Sequence, residues 1–111
     1  DTRTVLKIPL SLAPIKIAIL PLTKKDGLPE KAIKIMEGLK FDFNCQYEEK
    51  DSIGKRYRRQ DAIGTPFCIT IDNETGKDDC VTLRFRDSMK QERIKISSIN
   101  DLISKKLKQK Y

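Results

Sequence analysis

Two short apolar runs with no polar alternation constrain this chain more than any other feature: residues 15–20 (IKIAIL), closed by Pro21, and residues 66–71 (PFCITI). A strand with one wet face alternates apolar and polar residues, so a continuous run of strand length points to a sheet covered on both faces. Between the runs, Leu28, Ala32, Ile35, Met36 and Leu39 recur at three- and four-residue spacing, which predicts an amphipathic helix over residues 28–40. Pro29 sits where a first helical turn tolerates it. A strand through residues 44–47 and a second helix over about residues 53–63, capped by Ser52, follow.

After the second run the pattern changes. Residues 73–77 (NETGK) read as a hairpin turn. Val81, Leu83 and Phe85 then alternate with Thr82, Arg84 and Arg86 in a strand over residues 80–86, whose polar face would present two guanidinium groups. Ile94 and Ile96 alternate with Arg93 and Lys95 in the same way. Ser98 would cap a last helix with Ile99, Leu102, Ile103 and Leu107 inward and Lys105, Lys106, Lys108 and Lys110 outward, where those lysines complement the helix dipole. Early βα alternation requires right-handed parallel crossovers, and the late hairpin adds antiparallel pairing. The expected fold is α/β: a mixed five-stranded sheet flanked by three helices in three α/β/α layers.

The 111 residues suffice for one core, which must be aliphatic because aromatics make up only 6%. No histidine is present, so Ser/His/Asp and Cys/His catalysis is excluded, and zinc would lack an imidazole ligand beside three scattered cysteines. Cys45, Cys68 and Cys80 read as reduced, mostly buried thiols. Gly54, Gly64 and Gly76 are isolated, so neither common phosphate loop is present, and the acid pairs Glu48-Glu49 and Asp78-Asp79 fall in polar connections. No apolar run approaches a membrane span and no signal peptide is evident. The chain starts at Asp1, which suggests a piece of a longer protein, with residues 1–12 as a connection from an upstream domain.

A net charge of +7 calls for an acidic partner, nucleic acid first. The charge is concentrated: Lys55, Arg56, Arg58 and Arg59 occupy four of five consecutive positions in the second helix, and Asp61 closes the run. Asp61 is expected to pair locally with Arg58 or another cation of its helix. Gly54, Gly64, Thr65 and Pro66 would form the turns at the helix ends.

The stretch SIGKRYRRQDAIGTPFCITID (residues 52–72), LAPIK (12–16) through Leu20-Pro21-Leu22, TLR (82–84) and RDSMKQ (86–91) together resemble the C-terminal anticodon-binding domain of the glycyl-tRNA synthetase family. Histidyl, threonyl and prolyl synthetases share a looser version of the middle segment. This sequence departs from the family at Ala62 and Phe85, where an acid is usual. The resemblance implies five mixed strands with three helices over residues 13–111, in a homodimeric, cytosolic class II ligase that joins glycine to tRNA with ATP and magnesium. The ATP-binding arginine motifs are not in these residues, so this chain would hold no cofactor and catalyse nothing. As an isolated domain it would be a monomer.

The implied partner is the anticodon stem-loop of glycine tRNA, whose anticodon ends in two cytosines. A splayed cytosine offers an amino donor and the acceptors O2 and N3. Arg84 or Arg86 would donate to those acceptors, Asp87 would accept from the amino group, and Phe85 is a candidate stacking ring. Lys55, Arg56 and Arg59 would hold loop phosphates, which sets register without reading sequence. Two rival readings are a DNA-binding module like the accessory subunit of mitochondrial DNA polymerase, and a free-standing basic protein binding RNA nonspecifically or a protein partner.

Overall fold

A computed structural model describes Val5 and residues 8–108. Five strands, β1 (Ile17–Pro21), β2 (Cys45–Tyr47), β3 (Phe67–Ile71), β4 (Cys80–Phe85) and β5 (Gln91–Lys95), form one sheet in the order β2-β1-β3-β4-β5. β1 lies parallel to both β2 and β3, whereas β4 runs antiparallel to β3 and β5. The mixed sheet expected from the pattern is therefore present. The two uninterrupted runs form β1 and β3, adjacent and central, with every residue buried.

Helices α1 (Leu28–Leu39) and α4 (Ile99–Lys108) lie on one face, α2 (Ile53–Ile63) on the other. The larger core gathers Ile17, Ile19, Ile69, Ile71, Val81 and Leu83 under Leu28, Ala32 and Leu39 of α1 and Ile99 and Ile103 of α4. Ala18, Leu20 and Cys68 point the other way, against Ile53 and Tyr57 of α2. The two-residue period of the strands sorts alternate side chains to these two layers. At about 25 cal/mol per Å² of apolar surface, each fully buried Ile or Leu contributes roughly 1.5–3 kcal/mol.

Three local features differ from expectation. Residues 73–77 do not form a tight hairpin; a one-turn helix α3 (Thr75–Asp78) occupies the connection. Asp72 sets this up by accepting from the backbone N–H of Glu74 and Thr75 (3.0 and 3.2 Å), an Asx turn that starts a helix more readily than a hairpin. Asp79 ends it at φ 55°. Residues Leu10–Leu12 and Ile96–Ser98 form 3-10 turns, so Ser98 closes one turn ahead of α4. Lys110 lies outside the described residues. Among those described, no helix is long and apolar enough to cross a membrane.

Candidate nucleic-acid interface

Helix α2 starts where Ser52 accepts from the Lys55 N–H (3.3 Å) and stops at Gly64, whose φ of 84° suits glycine. Its inner face is more polar than the spacing of Ile53 and Tyr57 implied. Arg56 is 2% exposed. Its Nη1 donates to the carbonyls of Pro21 (2.6 Å) and Glu48 (3.1 Å), and its Nη2 to that of Leu22 (3.1 Å). One guanidinium thus joins the C-terminal ends of β1 and β2 to the first turns of α2. Burial lowers its pKa from the usual arginine range, with Glu48 opposing. Arg56 was expected on loop phosphates; it is instead a buried bracket of the fold.

The same holds for the two arginines expected on an open strand face. Arg84 and Arg86 are each 3% exposed. Register explains Arg84: it pairs across β3 with Cys68, whose side chain faces α2, so its own side chain runs beneath that helix. There it donates to both carboxylate oxygens of Asp61 (2.9 Å each), with the Tyr57 ring 4.8 Å away. Burial, the largest single influence on Arg84, opposes its charge, yet the bonds and charge of Asp61, with Cys68 and Tyr57, together raise the pKa. Asp61, expected to pair with Arg58 or another cation of its own helix, thus pairs with Arg84 of β4.

Arg86 lies just past β4, with its N–H bonded to the Pro66 carbonyl. Its guanidinium donates to the carbonyls of Gly64 (2.9 Å) and Ile8 (2.8 Å) and to both carboxylate oxygens of Asp87 (2.7 and 3.1 Å). Asp87 itself is half exposed.

Solvent meets a smaller cationic set. Lys55 and Arg58 are exposed on α2. Arg59 has 44% of its side chain exposed, yet it is ion-paired with Glu48, with Asp51 (2.7 Å), and donates to the Lys50 carbonyl (3.0 Å). Gln60 extends this network beneath the helix, donating to Gln46 (2.9 Å) and Glu48 (2.7 Å) and accepting from Thr65 (2.7 Å). The connection from β2 to α2 is thereby fixed to the helix it precedes. Arg59 is held in a defined place, and Lys55 and Arg58 remain to meet phosphate.

A second group lies at the other end of α2. Phe85, Arg86, Asp87, Lys90 and Lys106 line a cavity of about 550 Å³ at the β4–β5 turn. The Phe85 ring is partly buried, edge-on to Phe67 (centroids 6.0 Å apart, 77° between planes), and Lys106 Nζ sits 5.4 Å from its centroid. Phe85 is thus half core and half surface. Because Phe85 pairs with Phe67 at the start of β3, this cavity and Lys55 occupy opposite ends of α2. At 1.5 Å per residue, Lys55 lies roughly 12 Å along the helix from its last residue, Ile63.

Arg93 was missed as more than an alternating strand residue. It donates to both oxygens of Asp72 (2.9 and 3.0 Å) and of Asp78 (3.0 and 3.2 Å), closing the α3 connection onto β5. Its register opposite Thr82 was the available signal; the Asp72 turn that delivers both acids was not visible in the pattern. Among the described residues no three Cys, Asp or Glu side chains gather as a metal site.

A basic helix is thus clamped across a mixed sheet by buried arginines. The chain belongs to the anticodon binding domain family, whose sequence profile matches residues 16–106. It is 54% identical over 97% of its length to the glycine–tRNA ligase of Alkaliphilus oremlandii, and 55% identical over 96% to that of Clostridium perfringens. It spans 23% and 22% of those two ligases, so it corresponds to less than a quarter of each. Among solved structures, prolyl-tRNA synthetase from Cryptosporidium parvum, complexed with L-proline and AMP, matches with a TM-score of 0.83 at 19% identity, over 92% of this chain and 22% of that one. That likeness extends the fold assignment; the ligases carry the sequence relationship. Neither rival reading gains support from these relatives.

Proposed function

We propose that this chain is the anticodon-reading domain of a glycine–tRNA ligase, binding the anticodon stem-loop of glycine tRNA. The observation that carries this is identity above half with two glycine–tRNA ligases over nearly the whole chain. Residues 13–111 are the domain, and residues 1–12 connect it to an upstream catalytic part where ATP and magnesium bind. The whole ligase is a cytosolic homodimer, and the domain alone is a monomer.

The contact surface follows from exposure. Lys55 and Arg58 along α2, beside the ion-paired Arg59, neutralise phosphates, which positions the loop and gives a salt-dependent affinity. Asp87, held by Arg86, accepts from a cytosine amino group, and the cavity beside Phe85 receives the base. Arg86 thereby reads through the carboxylate it orients. Arg56 and Arg84 keep α2 in place and touch no RNA.

The test is fluorescence binding of this domain to a glycine-tRNA anticodon stem-loop, beside a loop with both cytosines replaced, across a salt series. A preference for the cytosine loop is expected. Equal affinity for both loops at every salt concentration overturns anticodon reading by this domain.

A further inference from the structure

The face of the sheet opposite α2 holds a groove that RNA binding does not use. α1 forms one wall; the Ile96–Ser98 turn and the start of α4 form the other. Its volume is about 550 Å³, within the range of small-molecule sites, which are mostly apolar with a few placed polar groups. Ile35 and Leu39 face Ile96 and Ile99 across it. α3 borders one end through Thr75, and a hydrogen bond from Asn100 to Asp42 (2.7 Å) ties α4 to the chain after α1 at the other.

Two observations indicate what the groove takes. The first is Gly38, in the third turn of α1 and lining the groove. Glycine inside a helix destabilises it by about 1 kcal/mol relative to alanine. The fold does not require that cost here: a Cβ at this position would meet nothing within 4 Å, and its φ is not in the left-handed region. The missing side chain leaves this stretch of the groove open. The second is charge. Lys31 and Lys34 line the end beside α3, both exposed, and the Lys31 ammonium lies close over Gly76. They outnumber the one carboxylate there, Asp79.

We propose that this groove is a binding site for a small amphipathic carboxylate, its apolar body between Ile35, Leu39, Ile96 and Ile99 and its anionic head on Lys31 and Lys34. The groove shares no lining residue with the cavity beside Phe85, although α4 contributes to both.

Decanoate, below its micelle concentration, is the probe, titrated into the intact domain and followed by backbone amide NMR shifts and calorimetry. Shifts centred on α1 and residues 96–100 are expected. The Lys31→Met, Lys34→Met double variant should bind roughly tenfold more weakly, as two exposed ion contacts predict. Gly38→Leu should fill the groove and abolish decanoate binding, while Gly38→Ala raises the melting temperature. Both Gly38 variants should bind the anticodon stem-loop like the parent chain, so failure here is separable from failure of the anticodon reading. Decyltrimethylammonium binding as tightly as decanoate overturns the carboxylate assignment. Unchanged decanoate affinity in a folded Gly38→Leu, no binding at all, or loss of RNA affinity in that variant overturns the site.

Discussion

Replacing Asp61 with asparagine tests the claim that Arg84 is structural. The substitution keeps the shape of the side chain and removes its charge, leaving a guanidinium that is 3% exposed without a counterion. Both of its bonds to Asp61 are 2.9 Å, Asp61 is fully buried, and the Tyr57 ring closes the site at 4.8 Å, so water has little access. Breaking a buried pair from one side costs about 3–5 kcal/mol, because a charge stays behind unpaired. A domain of this size has about 5–15 kcal/mol of total stability. With a urea m-value of about 2 kcal/mol per M, the unfolding midpoint should fall by roughly 2 M. The double variant Asp61→Leu, Arg84→Met removes both charges and should recover most of the loss, since an apolar replacement of a buried pair is often neutral or stabilising. The assay is urea unfolding followed by circular dichroism, with stem-loop binding measured on every folded variant. A midpoint shift under about 0.5 M for Asp61→Asn would refute the buried-pair argument. A folded double variant that has lost cytosine preference would refute the further claim that Arg84 does not read a base.

Other perturbations separate the remaining roles. Lys55→Ala or Arg58→Ala should weaken cognate and substituted stem-loops alike and reduce the salt slope by about one per lost phosphate contact, measured by titration at several salt concentrations. Arg86→Ala should lower the preference for cytosine and also the melting temperature, because the Gly64 and Ile8 carbonyls lose their donor; unchanged discrimination would remove Asp87 from the reading. Arg93 holds the pKa of Asp72 and Asp78 below the usual carboxylate value of 3.8. Depressed folded-state values add stability above that pH and lose it as pH falls through them, so Arg93→Met should flatten the acid limb of a pH–stability curve below about pH 4. Burial pushes the Cys68 thiol up to about 12 and that of Cys45 to about 11, so alkylation of the folded domain at pH 8 should leave Cys68 unmodified over hours.

Where hydrophobic period alone decided an element, the pattern was readable. α2 spans residues 53–63 as its cap and closing glycine predicted, and the buried runs became the two central strands. The Asp72 turn was not readable, because an Asx bond and a hairpin share the same residue types. The roles of Arg56 and Arg84 were hidden for a different reason. Cationic residues in a basic segment read as surface, and only the strand register that puts Arg84 opposite Cys68, beneath α2, reveals a buried pair. Arg56 lies four residues from Gln60, on the polar part of the inner face, which a search for apolar spacing passes over. Of the four cations clustered in α2, Lys55 and Arg58 stay exposed, Arg59 is ion-paired and Arg56 is buried.

The Arg56 bracket has one more consequence. All three acceptors of its terminal nitrogens are main-chain carbonyls, of Pro21, Leu22 and Glu48. A carbonyl is present whatever side chain its residue carries. Position 22 can therefore exchange its side chain freely as far as this joint is concerned, while position 56 cannot become lysine, whose single ammonium lacks the fork that spans two chain ends. At these chain ends the joint therefore rests on main-chain acceptors and the one side chain that reaches them. The turn after β1 can diversify without removing its hold on the helix it adjoins.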